Sequence, residues 1–330
     1  ASSTRSASGL SPIRETSSPD STSSSTKKNE VSAASSRPNS YSRTPRDSKV
    51  KKALIIGCGY LGQRIARRLR AADFEVRGTT RSKSRAAELE NAGIPAAVME
   101  LGSAAAHPLL KEKWDAAIYA AAPGKDGNAD LVFRRAPPAC HGQLCAAGLE
   151  RFVYVSSTGV YPQTGGELLD EESPAEPDEG TSALIREAER ELLGEARENG
   201  AVVMRLGGLY GPGRSPIEWL RRPDFRERLR GSAEAWMNWI HVDDAAAAVS
   251  SAAVRGRPGE LYLAVDGCPV KRKDFYRRAA ELAGVEPPEL DAGSGDLGKR
   301  LSNRKLIEEL EVSLLYPDYR RGLAAVSEAS

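Results

Sequence analysis

Gly57, Gly59 and Gly62 interrupt an apolar run, Ala53 to Ile56, and Leu61, Ile65 and Leu69 follow at helical spacing. Gly57-Cys58-Gly59-Tyr60-Leu61-Gly62 is therefore a G-x-G-x-x-G set between a strand and a helix. The chemistry of such a turn is phosphate binding. Gly57 permits the tight turn, Gly59 lets backbone approach a pyrophosphate, and Gly62 lets the helix pack closely on the strand. The helix N-terminus presents unpaired amides and a positive dipole end to the phosphates. Cys58, Tyr60 and Leu61 occupy the variable positions of the same turn. With both flanks correct, the motif predicts a bound dinucleotide.

Which dinucleotide depends on the end of the next strand, Phe74 to Gly78. A site for NAD offers a carboxylate there to the ribose hydroxyls, whereas Gly78-Thr79-Thr80-Arg81-Ser82-Lys83 has none. The hydroxyls of Thr79 and Thr80 can bond a phosphate, and Arg81 can pair with it bidentately. NADP is expected ahead of NAD. The competing reading is that Arg81 and Lys83 begin a solvated basic helix. A further group of hydroxyls, Ser156, Ser157, Thr158 and Tyr161, follows the strand Arg151 to Val155.

These residues need a scaffold that brings strand ends together. Further strands read as Ala96 to Met99, Trp114 to Pro123, Ala201 to Leu206 and Leu261 to Val265. Small residues on the second of these, Ala121 among them, would let a cofactor lie close to the backbone. Residues 129–148 read as a helix interrupted by Pro137-Pro138. Strands alternating with helices give an α/β fold, a Rossmann-type doubly wound parallel sheet with ligands at the carboxyl ends of its strands. Downstream, residues 215–231 read as basic and helical, and Asp243 or Asp244 as a helix cap. Lys273 to Ala283 and Asn303 to Leu310 read as helices of a small C-terminal lobe.

The whole chain sets outer limits. Its 330 residues carry a net charge of only +2, which gives no argument for DNA. No apolar run approaches the roughly 20 residues of a membrane span. Four scattered cysteines suggest a reducing compartment without a disulfide framework. Cys140-His141 with Cys145 lacks the second ligand pair of a zinc site. Residues 1–49 are rich in serine and arginine, poor in acids and broken by Pro12, Pro19, Pro38 and Pro45. Such a segment does not fold alone. It resembles an organelle transit peptide, with a plastid favoured over a mitochondrion.

The motifs from 52 to 322, taken in order, resemble the extended short-chain dehydrogenase/reductase superfamily, in its NAD(P)-dependent epimerase/dehydratase group. The glycine turn comes first, then Val155-Ser156-Ser157-Thr158-Gly159-Val160-Tyr161. Arg205-Leu206-Gly207-Gly208-Leu209-Tyr210-Gly211-Pro212-Gly213-Arg214 and Asn238-Trp239-Ile240-His241-Val242-Asp243-Asp244-Ala245 follow. The ending, Gly298-Lys299-Arg300-Leu301-Ser302-Asn303 and then Tyr316-Pro317-Asp318-Tyr319, is similar to an atypical, sugar nucleotide epimerase-like subgroup. The resemblance implies an NAD(P)-binding domain over 50–330, with a substrate lobe drawn mainly from 212–240 and 266–325. It implies an oxidoreductase or epimerase acting on a small, sugar-like substrate such as a nucleotide sugar. Ser157 then matches the serine that orients the substrate oxygen. The family's Tyr-x-x-x-Lys does not follow: Ser182 stands where the tyrosine is expected and Arg186 where the lysine is. An arginine there can hold a ribose or phosphate but cannot relay a proton. Tyr161 is the neighbouring phenol that could be recruited, and Asp170 and His241 are further candidates. The departure also admits a different class, an NADP-binding scaffold, redox sensor or RNA- or protein-associated factor.

Overall fold

The computed structural model describes residues 50–329 apart from 125–126, 200 and 292–294, so the expected transit segment lies outside the described residues. The first half runs β1 (Lys52–Ile56), α1 (Tyr60–Ala71), β2 (Glu75–Thr80), α2 (Lys83–Asn91), β3 (Ala96–Val98), β4 (Ala116–Tyr119) and α3 (Ala136–Ala146). It continues through β5 (Phe152–Ser157), β6 (Gly165–Leu169), α4 (Gly180–Asn199), β7 (Ala201–Leu206) and β8 (Gly208–Tyr210). Then come α5 (Pro216–Arg221), α6 (Pro223–Arg228), β9 (Trp236–Met237), β10 (Trp239–His241), α7 (Val242–Arg255) and β11 (Leu261–Ala264). The last elements are β12 (Val270–Lys271), α8 (Arg272–Ala283), β13 (Gly298–Leu301), α9 (Arg304–Leu310) and α10 (Tyr319–Glu328).

Seven strands form one sheet in the order β11-β7-β5-β4-β1-β2-β3. Every pairing in it is parallel. The order reverses between β1 and β4, which opens a crevice at their carboxyl ends. The buried part of β1 is apolar throughout because both faces of a parallel sheet are covered. Ala53 and Ile55 face a layer that includes Ile65, Leu69 and Val249 from α1 and α7. Leu54 and Ile56 face the opposite layer, with Leu144 and Leu192 from α3 and α4.

The helix near 130 is continuous past its prolines rather than interrupted by them. Asp130–Arg135 winds as a π-helix, and Pro137 and Pro138 fall in the first turn of α3, where a ring is tolerated. Residues 215–231 give two short helices, because Pro223 ends α5 and opens α6. A second sheet, β12-β9-β13-β6, has no counterpart in the sequence reading. Two of its strands hold only two residues, too few to show a period of two. Residues of β8, β10, β12, α5, α8 and α10 form a separate apolar cluster, where Trp239 stacks on Phe275 with 4.3 Å between ring centroids. No helix among the described residues is long and apolar enough to cross a membrane.

Candidate functional site

The glycine turn sits at the β1–β4 switch point, and each glycine meets a different constraint. Gly57 has φ +89°, and a Cβ there would stand 2.5 Å from the Ala121 backbone at the end of β4. A Cβ on Gly62 would stand 2.7 Å from the Gly57 carbonyl oxygen. A Cβ on Gly59 would meet nothing within 4 Å. Gly59 therefore borders open space, while its neighbours are locked by packing. Ala121 is the residue against which the turn closes.

The backbone donors of the turn divide in the same way. Gly57 N–H donates to the Thr79 hydroxyl at 3.2 Å, Cys58 N–H to the Thr79 carbonyl at 2.8 Å, and Gly59 N–H to the Gly57 carbonyl at 2.8 Å. The first helical bond runs from Gln63 N–H to the Gly59 carbonyl. The amides of Tyr60, Leu61 and Gly62 thus lie ahead of the helical ladder, beside the open space at Gly59. No side chain caps this helix and no acid occupies its first turn. An anionic group fits here. Thr79, read from sequence as a phosphate ligand, is instead buried and serves as the brace of the turn.

The variable positions also have separate roles. Cys58 is buried, and burial pushes its thiol up to about 11, so it stays neutral and packs. Leu61 is buried in the core. The Tyr60 ring carries Arg64 at 4.4 Å, and its hydroxyl is buried beside the Gly211 backbone. At the end of β2, Thr80 is half-buried and Arg81 is exposed. The Arg81 guanidinium reaches across to the loop after β4, where a Cβ on Gly124 would stand 2.8 Å from both of its terminal nitrogens.

At the carboxyl end of β5, the Ser157 hydroxyl accepts from Gly159 N–H at 3.0 Å. A Cβ on Gly159 would stand 3.2 Å from the Ser157 oxygen and 3.4 Å from that of Ser182. The two hydroxyls therefore flank one glycine, although 25 positions separate them in sequence (182 − 157). The other two candidates are committed to the framework. Tyr161 is buried, its hydroxyl donates to the Asp170 carbonyl at 2.7 Å, and burial pushes the phenol up to about 12. Arg186 donates to the Ala175 carbonyl at 2.7 Å and pairs with Glu189 and Glu176.

The segment read as a capped helix is also rearranged. His241, not an aspartate, caps α7, its Nδ1 accepting from Asp243 N–H. Asp243 pairs with Arg64 at 3.1 Å. Buried Asp244 accepts from Leu315 N–H and Tyr316 N–H at 2.7 and 2.8 Å, and so holds the C-terminal segment on α7. Among the described residues no group of three metal-ligating side chains forms.

Residues 53–264 match the model of the NAD dependent epimerase/dehydratase family. Protein YeeZ of Escherichia coli is 25% identical over 279 residues, covering 82% of this chain and 97% of that protein. A solved putative NAD-dependent epimerase/dehydratase from Methylobacillus flagellatus is 28% identical with a TM-score of 0.66, covering 85% of this chain and 98% of its own. MoeE5, solved with UDP-glucose and NAD, shares the fold at 23% identity with a TM-score of 0.67, covering 84% and 97%.

Proposed function

Because this chain belongs to the NAD-dependent epimerase/dehydratase family, we propose that it binds NADP in preference to NAD and works as an oxidoreductase or epimerase. Its substrate is a sugar-like or other small hydroxyl or carbonyl compound, and a nucleotide sugar such as the one MoeE5 holds is the first class to test. The observation that carries this reading is the open space at Gly59, bordered by the leading amides of α1 at the sheet's switch point. The bound dinucleotide supplies hydride exchange. The chain's part is to seat the pyrophosphate on α1, to set Arg81 at the adenosine end and to hold the substrate oxygen near Ser157.

Calorimetric titration of the full chain with NADPH, NADP, NADH and NAD tests it. NADPH binds, and Arg81→Ala weakens it more than about tenfold with little effect on NADH, since a charge-assisted phosphate contact contributes about 1.5–3 kcal/mol. Gly59→Asp keeps the fold, because its side chain enters open space, and abolishes binding by placing a carboxylate where phosphate belongs. A folded wild type that takes up no dinucleotide overturns the proposal.

A second reading has one observation in its favour. Nothing across α4 supplies a Tyr-x-x-x-Lys, and Arg186 is committed to Glu189. Tight cofactor with no turnover, and RNA or protein co-purifying, would mark an organellar scaffold, redox sensor or assembly factor. The serine-rich residues 1–49 support a plastid address, which import of a fluorescent fusion tests.

A further inference from the structure

The main gap at this site is a proton-transfer group. Tyr161 is bonded to Asp170, Arg186 is paired with two glutamates, and Arg205 is sunk against Glu189. Ser182 stands in the tyrosine's place, and an unactivated hydroxyl is a poor base. The tertiary structure delivers one more titratable group to this end of β5, from 138 positions away. Lys299 on β13 donates from Nζ to the Tyr161 carbonyl at 2.5 Å, at the end of the short turn that begins at Ser157.

Several features separate Lys299 from the neighbouring cations. It is half-buried, and among the described residues no carboxylate lies within ion-pair distance of it. Its ammonium has three donors, of which the Tyr161 carbonyl takes one. Arg300 lies over Trp236 and bonds the Gly166 carbonyl, whereas Leu301, two residues from Lys299, is buried in the same apolar cluster as Val160 and Tyr161. Lys299 thus shares the inward side of β13. Its backbone is fixed as well: the Asn238 amide donates to the Lys299 carbonyl and accepts from Leu301 N–H, both at 2.9 Å. Burial pushes the Lys299 amine below its ordinary range. The charged groups around it, Asp296 before β13 and Glu167 on β6, oppose that shift.

We propose that Lys299 is the acid–base residue of this site, supplying from the lobe the proton transfer that the family places on α4. A nicotinamide cofactor seated on α1 would supply the hydride exchange, taking up the electron pair of the substrate C–H bond in the oxidative direction. The hydroxyl proton passes to the neutral amine, and the carbonyl forms. In reduction the ammonium returns that proton to the oxygen. Ser157 holds the same oxygen throughout.

This inference rests on the cofactor reading, and the test separates the two. Wild type, Lys299→Met, Lys299→Arg and Lys299→Ala are titrated with NADPH, then assayed for NADPH oxidation on nucleotide keto-sugars and small ketones. All four bind NADPH within about twofold of one another. Lys299→Arg keeps the charge and the bond to Tyr161, and hence the fold, but cannot release a proton. It and Lys299→Met lose roughly 100-fold or more in kcat/KM, the usual scale of general acid–base catalysis. The pH limb of the wild type disappears with them, and added methylamine restores turnover to Lys299→Ala. Turnover by Lys299→Arg within about threefold of wild type, absence of methylamine rescue, or a wild type that binds NADPH and turns over nothing on the panel overturns the assignment. Failure of the wild type to bind NADPH instead removes the cofactor reading itself.

Discussion

Glu189 on α4, with no exposure, receives Arg205 from β7 through two bonds, Nε at 2.9 Å and Nη2 at 2.6 Å. The Ser156 hydroxyl adds a third donor at 2.5 Å. The pair therefore bolts α4, which carries Ser182, to the strand ends that carry Ser156 and Ser157. Arg205 also lies over the Tyr161 ring at 4.7 Å. A buried bidentate pair repays its desolvation only when its geometry is good and its remaining lone pairs are bonded, and both conditions hold here.

Arg205→Met leaves Glu189 buried without its bidentate partner, with only the looser Arg186 contact at 3.4 Å remaining. Denaturant unfolding should show a loss of about 3–5 kcal/mol, the range for breaking a buried pair. Arg205→Met combined with Glu189→Leu should recover most of that loss. A single variant within about 1 kcal/mol of wild type would show that the pair does not hold the fold.

The glycine turn predicts an asymmetry between two apparently equivalent positions. Gly62→Ala drives a Cβ to 2.7 Å from the Gly57 carbonyl, so α1 must move off β1. Gly59→Ala adds a methyl to open space. Thermal melts should show Gly62→Ala destabilised by about 1–3 kcal/mol, the usual cost of overpacking, and Gly59→Ala close to wild type. Equal melts for the two would contradict this packing.

His241 carries a pH dependence of determinate sign. Burial lowers its imidazole from the ordinary 6.5 to about 4. Between those values the unfolded chain binds the proton and the folded chain does not. Stability therefore falls as pH drops from 6.5 toward 4, by roughly 3 kcal/mol in total. His241→Asn retains a cap acceptor and should flatten this slope in unfolding curves at pH 7 and 4.5. An unchanged slope would assign the acid loss to other groups.

Asp266 acts in the opposite sense. Burial raises its carboxyl from 3.8 to about 8, with Asp318 and Asp244 adding to the shift and the Cys268 N–H opposing it. The folded state keeps a proton that the unfolded state releases at 3.8, so this group's contribution declines as pH rises from 3.8 to 8. Asp266→Asn should match wild type near pH 4 and exceed it in stability at pH 9. Equal stability at pH 9 would show that the carboxylate finds a partner on ionising.

The sequence by itself determined the glycine turn and the parallel sheet that carries it. Gly57, Gly59 and Gly62 carry their constraints locally, in φ and in the absence of a Cβ, and the buried strands are apolar along their length, so spacing alone exposes both. The parallel order of the sheet follows from alternation of strands and helices. The tertiary structure decided which polar group does which job. Thr79 braces the Gly57 amide, His241 caps α7, Asp244 holds the C-terminal segment, and Lys299 reaches Tyr161. These bonds join residues far apart in sequence, or pit neighbouring side chains of like chemistry against each other. Such choices are made by packing, which leaves no period in the chain. The small sheet was illegible for a related reason: two-residue strands gain their hydrogen bonds only from partners that the fold brings to them.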